Sequence, residues 1–322
     1  MSEANILVLG GSGFLGRYLV PRLDAAGYSL TVPTRNRERA RHLILLPQTD
    51  VVEMNIHDDA HLGRLMADKD VVVNLVGILH GRIGDSNDLY GPDFRRAHVG
   101  LMERLLAAAR RHRVARVVHV SALGVTDGDP ATLPSRYLRS KAAAEKLLHE
   151  SGLDWVVFRP SVMFGPGDNF LSLFARLQRL APVVTLPNAA ARFQPVYVGD
   201  VADAIVKGVA APEMVGKAYE LAGPDVYTLR ELVALAGRYS GHERPVYNLP
   251  PSLGHLQALV MEKLPGPTLM SRDNLLSMKV DNVANQPSDP ALGIVPTPVA
   301  TIAPTYLAPI DSAFNAARRA HR

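Results

Sequence analysis

Tyr137 and Lys141 are the pair in this chain whose types and spacing could move a proton. In Ser135-Arg136-Tyr137-Leu138-Arg139-Ser140-Lys141 they stand four apart, so on a helix they project from one face. A phenol can protonate a developing alkoxide, or take an alcohol's proton, when a neighbouring ammonium favours its phenolate. The same ammonium can hydrogen-bond a ribose. Tyr-x-x-x-Lys is common in helices, so its weight comes from the elements that position it.

The first of these reads as strand, glycine turn, helix, strand. Asn5-Ile6-Leu7-Val8-Leu9 is an apolar run suited to a strand buried on both faces. Gly10-Gly11-Ser12-Gly13-Phe14-Leu15-Gly16 follows, then a helix pattern with Leu15, Leu19 and Leu23 on one face, closed by Gly27. Such a turn brings backbone N–H groups against a pyrophosphate at the positive end of a helix. Two spacings coexist: Gly11, Gly13 and Gly16 fit a dinucleotide fingerprint, and Gly10, Gly13 and Gly16 a three-and-three pattern. Gly10, Gly13, Phe14, Leu15 and Gly16 are therefore candidate cofactor contacts. After the second strand, which begins at Ser29-Leu30-Thr31-Val32, comes Thr34-Arg35-Asn36-Arg37. A carboxylate there would suit a ribose 2′-hydroxyl. The guanidinium of Arg35 suits a 2′-phosphate instead, so the expected cofactor is NADP(H).

Alternation of strand and helix continues. A basic helix is expected over 37–46, a third strand at Val51–Asn55 and a helix over Asp58–Met66. Asn55 and Ile56 would sit at the sheet's carboxyl edge, beside an adenine. The fourth strand, from Asp70, runs into Leu75, Val76 and Gly77, where glycine allows close approach of a dinucleotide. A polar loop over 78–92 precedes an amphipathic helix from about Asp93 to His112. Val117–Ser121 is the fifth strand, the Tyr–Lys helix runs to about Ser151, and Trp155–Arg159 is the sixth strand, ahead of Pro160 and Ser161. This order implies right-handed crossovers and an α/β, Rossmann-type doubly wound parallel sheet with a smaller C-terminal lobe. We expect the dinucleotide-binding core at 1–160 and, interleaved with it, a mixed lobe at 161–322. In that second part come a helix over Asn169–Leu180, another over Asp200–Val209, a strand at Ala218–Leu221 and a helix over Thr228–Tyr239 opened by a Thr228/Glu231 capping box.

From Pro245 the pattern changes. Leu253, Leu256, Leu259, Val260 and Leu264 form an apolar stripe, which suits packing on its own domain or a face toward a partner or membrane. The proline-rich extension from about 287 is expected to wrap the surface. Its uncharged run from Pro290 to Ile310 holds five prolines, which argues against a continuous membrane-spanning helix.

At 322 residues, with 47% apolar and 20% charged residues, the chain can bury a large core. Its net charge of +4 is modest, and its basic clusters lack the interleaved aromatics of single-strand binders, which argues against nucleic acid. A basic tail at Arg318–Arg322 could touch anionic lipid. Absence of cysteine excludes disulfides and thiolate chemistry. His80, His98 and His119 show no metal-ligand spacing and are expected to be structural or solvated. The first strand starts within five residues of Met1, which leaves no room for a signal peptide and leads us to expect a soluble, cytoplasmic protein.

Together with these residues, Asn74-Leu75-Val76-Gly77, Arg159-Pro160-Ser161, Phe164-Gly165 and Pro195-Val196-Tyr197-Val198-Gly199-Asp200-Val201-Ala202 make the chain resemble the extended and atypical short-chain dehydrogenases/reductases. It is most similar to the atypical branch that contains the NADPH-binding accessory subunit of respiratory complex I. That likeness rests on Gly13–Tyr18, Arg35, His119-Val120-Ser121, Tyr137–Lys141, Gln194–Val198, Leu264-Pro265-Gly266 and Arg272-Asp273-Asn274, and covers nearly the whole chain. A related branch member takes part in coenzyme Q biosynthesis. The resemblance implies that Pro160 and Ser161 lie beside the nicotinamide, and that partners come from a respiratory complex or quinone pathway. It also implies peripheral contact at the inner face of the inner membrane.

One departure bears on chemistry. Catalytic members of the extended family end the fifth strand in two hydroxyl residues, the second of which polarises the carbonyl; here the pair is Ser121-Ala122. Ser121 remains a candidate if the chain turns early. Losing a donor aimed at an oxyanion costs on the order of 10²–10³ in rate. The leading expectation is an NADP(H)-binding protein whose nucleotide is structural or regulatory. The alternatives are an active NADP-dependent oxidoreductase on a small or isoprenoid, quinone-type carbonyl, and a nucleotide-sugar epimerase or dehydratase.

Overall fold

Short apolar runs with no polar alternation must be covered on both faces, and that requirement organises the molecule. The computed structural model describes residues 4–82, 88–263 and 270–309. Leu264-Pro265-Gly266 and the basic tail at 318–322 lie outside them. The strands β1 (Asn5–Leu9), β2 (Ser29–Thr34), β3 (Thr49–Glu53), β4 (Val71–Asn74), β5 (Arg116–Val120) and β6 (Asp154–Pro160) pair in parallel in the order β3-β2-β1-β4-β5-β6. A seventh strand, Lys217–Leu221, joins beyond β6, so the second half of the chain completes the sheet. Ile6 and Val8 face one apolar core and Leu7 and Leu9 another, as period-two geometry requires. Among the described residues this is a Rossmann-type sheet that reverses order between β1 and β4. The carboxyl edge at such a reversal is where ligands of these sheets bind.

The helices that carry the site are α1 (Gly16–Ala25), α2 (Asp59–Met66), α3 (Pro92–Phe94), α4 (Gly100–His112) and α5 (Arg136–His149). Further helices are α6 (Leu171–Leu180), α7 (Val198–Ala210), α8 (Leu229–Tyr239), α9 (Pro251–Lys263), α10 (Arg272–Ser277) and α11 (Val299–Leu307). The Thr228/Glu231 capping box opens α8 with both reciprocal bonds in place.

Three elements differ from the sequence reading. The basic helix expected over 37–46 is a shorter 3₁₀ helix, Arg37–Leu43. Asn36 caps it by accepting from the Glu38 N–H at 2.9 Å, and the buried pair Ala40 and Leu43 suits its three-residue turn. The helix expected over 93–112 is interrupted by a π-helical turn, Arg95–Val99. The proline-rich extension does not simply wrap the surface. α11 buries Val299, Ala303 and Leu307 in the core of the C-terminal lobe, and its Tyr306 hydroxyl donates to Asp168. That burial outweighs the backbone bond that Pro304 forgoes.

The expected stripe on α9 is oriented unusually. Gly254 and Ala258 are its buried residues, whereas Leu253, Leu256 and Val260 are 50%, 55% and 53% exposed.

Candidate functional site

The glycine turn is shaped by backbone contact. Gly10 has φ +81°, and a side chain there would lie 3.2 Å from the backbone of Leu75 and Val76. This is a left-handed position tight against the end of β4. Gly16 is packed harder still: an added Cβ would stand 2.1 Å from the Gly11 carbonyl oxygen, so α1 starts hard against the backbone of the turn. Gly13 N–H donates to the Gly10 carbonyl at 2.9 Å, which closes the turn. Leu15 is buried in the core beneath α1, and Phe14 meets Tyr18 edge-on with ring centres 5.9 Å apart. Tyr18 in turn donates to the Pro166 carbonyl at 2.8 Å and ties the dinucleotide half to the C-terminal lobe.

Arg35 is exposed immediately after β2 and, among the described residues, has no ion-pair partner. Asn55 and Ile56 follow β3; the Asn55 side chain accepts from the His57 N–H at 3.1 Å, and Ile56 packs on the core under α2 and α4. Burial, with Arg96, Arg104 and Arg35 nearby, lowers the pKa of His57, so an excess of positive charge borders the end of β3. Leu75, Val76 and Gly77 follow β4. A side chain on Gly77 would stand 3.1 Å from Lys141 Nζ, so glycine keeps the two apart.

Ser135 caps α5 by accepting from the Leu138 N–H at 3.2 Å, and the helix carries Tyr137 and Lys141 to the carboxyl edge. Lys141 is 3% exposed. Its Nζ donates to the carbonyls of Val120 at 3.0 Å and Val76 at 3.4 Å, joining the ends of β4 and β5. Burial lowers its pKa to about 8, with Glu145 opposing the shift. The expectation that Lys141 draws the Tyr137 pKa down is not met. Burial raises Tyr137 to about 12, and the Lys141 ammonium is held by backbone carbonyls.

Beyond β5 the parallel ladder continues: Ser121 N–H donates to the Phe158 carbonyl at 2.7 Å and Leu123 N–H to the Pro160 carbonyl at 2.9 Å. Ser121 and Ala122 therefore point to opposite sides of the sheet. Ser121 Oγ is buried without a hydrogen-bond partner, and Ala122 is also buried. Ser161 Oγ donates to the Asn282 side chain at 2.6 Å, next to Pro160 at the end of β6. The structure thus gathers Gly10, Gly13, Gly77, Ser121, Tyr137, Lys141, Pro160 and Ser161 along one edge, with Arg35, Asn55 and Ile56 at its β2–β3 end.

Two residues here make contacts that sequence reading did not assign, and His98 is structural as expected. His98, in the π-helical turn, accepts at Nε2 from the Ile78 N–H at 3.1 Å, which leaves Nδ1 to donate to Ser140 Oγ at 2.7 Å. Ser140 passes a bond on to the Tyr137 carbonyl at 2.8 Å. Burial and Lys141 push His98 well below the ordinary imidazole range, so it is neutral. Its partners lie 20 and 42 residues away, which no spacing rule would find. Asp273, far along the chain, accepts from the backbone N–H groups of Arg136 and Tyr137.

A possible metal group also emerges where spacing had suggested none. Ligand atoms of Asp127, Glu145 and His149 lie within 4.8 Å of one another. The Arg159 guanidinium, however, already bonds both Asp127 and Glu145, and its charge satisfies the carboxylates that a cation would need.

The mitochondrial NADH dehydrogenase [ubiquinone] 1 alpha subcomplex subunit 9 of Arabidopsis thaliana is 36% identical over 237 residues, which is 71% of this chain and 56% of that protein. The matched stretch is thus little more than half of that relative's length. The mitochondrial NADH-ubiquinone oxidoreductase 40 kDa subunit of Neurospora crassa is 27% identical over 305 residues, 93% of this chain and 78% of that one. The NADPH-dependent quinone oxidoreductase QOR2 of Escherichia coli, solved with NADPH, superposes with a TM-score of 0.70 at 19% identity, covering 92% of this chain and 97% of that one. This last likeness is one of fold. A family model described as the NAD dependent epimerase/dehydratase family matches residues 6–222. With its glycine turn, its Tyr–Lys helix and its reversed strand order, the chain belongs to the NAD-dependent epimerase/dehydratase family, the extended short-chain dehydrogenases/reductases.

Proposed function

We propose that this chain binds NADP(H) as an accessory subunit of a respiratory NADH dehydrogenase, with the nucleotide structural or regulatory and turned over weakly or not at all. Its relatives include subunits of mitochondrial NADH dehydrogenase and NADH-ubiquinone oxidoreductase by name, and its own site residues support the rest. The observation that carries weak turnover is Ala122. The ladder keeps Ser121 on one side of the sheet, so the opposite side, where a second hydroxyl would polarise a carbonyl, presents a methyl group. Gly10, Gly13, Phe14, Leu15 and Gly16 would hold the pyrophosphate, Asn55, Ile56 and Val76 the adenine, and Lys141 the nicotinamide ribose. When bound, the nucleotide would supply hydride chemistry; the chain's own Tyr137 keeps its proton in this environment. Arg35 would take the 2′-phosphate, for which an unpaired guanidinium is suited.

Among the described residues no helix is long and apolar enough to cross a membrane. Contact with a membrane would then be peripheral. The exposed Leu253, Leu256 and Val260 of α9 supply an apolar face for it, since Glu262 beside them is spent on Arg272 at 3.0 Å. A second reading, an active NADP-dependent reductase, keeps support from the intact Tyr137–Lys141 pair.

Purification from native membranes tests the proposal. The chain should co-purify with NADH dehydrogenase subunits and carry NADPH that neither quinones nor aldehydes oxidise. Isolation free of such subunits, with turnover abolished by Tyr137→Phe, would replace it with the second reading.

A further inference from the structure

The segment Ser271–Asn282 lies across the carboxyl edge of the sheet although it comes from the far end of the chain. Its helix α10 satisfies its own first turn with a Ser271/Asn274 capping box, which leaves the Asp273 carboxylate for another use. Asp273 Oδ1 accepts from the Arg136 N–H at 2.8 Å and Oδ2 from the Tyr137 N–H at 3.0 Å. These amides open α5, where no carbonyl of the same helix can reach them. Ser277 Oγ bonds Ser135 Oγ at 2.8 Å, and Asn274 Nδ2 donates to the Leu79 carbonyl at 3.4 Å. At the other end the Asn282 side chain accepts from Ser161 Oγ at 2.6 Å and from the Val162 N–H at 2.8 Å. Its backbone bonds Arg192 and Gln194, each at 2.9 Å. The segment therefore reaches the chain after β4, the start of α5 and the chain after β6. Asp273 is 8% exposed, so both of its charge-assisted bonds are shielded from water.

We propose that Ser271–Asn282 is a strap closed over the dinucleotide site, and that Asp273 is the positioning residue through which the strap holds Tyr137. The inference rests on the dinucleotide reading above. The strap therefore holds the start of α5. Nucleotide leaves, and enters, when the strap opens.

Stopped-flow measurement of NADPH binding and release, read from nicotinamide emission, tests this on the full chain. Asp273→Ala and Asn282→Ala each remove two charge-assisted or buried hydrogen bonds and are expected to raise both association and dissociation rates by about tenfold or more. Kd should change much less, which distinguishes a released strap from a damaged pocket. Asp273→Asn, whose amide oxygen can still accept one N–H, should fall between. Unchanged rates in both alanine variants, or faster release with unchanged association, would overturn the strap. If the wild-type chain binds no NADPH, the coenzyme reading fails, and amide hydrogen exchange judges the strap alone. Protection at Arg136 and Tyr137 that Asp273→Ala abolishes supports it, and equal exchange overturns it.

Discussion

Lys141 offers the most quantitative handle on the site. Its ammonium is 3% exposed, faces two backbone carbonyls and has its pKa lowered from 10.5 to about 8. That displacement corresponds to about 3 kcal/mol against the charged form in the folded protein. Below pH 8 both folded and unfolded chains hold this proton, so the cost is fully present. Between about pH 8 and 10.5 the unfolded chain binds more protons than the folded one, and stability contributed by this residue rises with pH. Urea denaturation of wild type and Lys141→Met across pH 7–10.5 isolates the effect as a difference. We expect the wild type to gain about 3 kcal/mol relative to the variant over that interval, an order-of-magnitude figure. At pH 7 the variant should be as stable as wild type or more so, since a buried charge is replaced by an apolar chain of similar length. A pH-independent difference would refute the reasoning, because it would mean that the ammonium is effectively solvated. Tyr137 adds an opposite trend at higher pH: its pKa, raised to about 12, makes stability fall above pH 10.

Two further substitutions test the frame around the site. Gly16→Ala places a methyl 2.1 Å from the Gly11 carbonyl oxygen and should abolish measurable NADPH binding and cost about 1–3 kcal/mol; titration showing near-wild-type affinity would contradict the tight strand-to-helix start. Glu145→Ala leaves Arg159, 8% exposed, with Asp127 as its remaining carboxylate, and should lower stability by about 3 kcal/mol in urea denaturation. A loss below about 1 kcal/mol would show that the buried pair contributes little.

Sequence made the core sheet legible because its signals are local. The apolar runs at Asn5–Leu9 and Val71–Asn74 need no distant partner to identify them, and the glycine turn announces the first helix. Tyr137 and Lys141 share one helix and were likewise visible. His98 is structural, as expected, but its partners are not legible in the sequence, because the Ile78 amide and Ser140 that fix its π-helical turn come from other elements. Asp273 is legible only within a family likeness, since its role depends on amides 136 and 137 positions earlier. α11 was misjudged because prolines signal interruption locally, whereas Val299, Ala303 and Leu307 are paid back by tertiary burial. The opposite orientation of Ser121 and Ala122 follows from strand period, but that the ladder persists past β5 required the Leu123–Pro160 bond.

Coenzyme choice tests the central claim most directly. Dissociation constants for NADPH and NADH should be measured by titration on wild type and Arg35→Asp at fixed ionic strength. The account predicts that wild type prefers NADPH and that the variant weakens NADPH by about fiftyfold while leaving NADH nearly unchanged, the scale of a lost charge-assisted phosphate contact. Equal losses for the two coenzymes, or no NADPH preference in wild type, would contradict it.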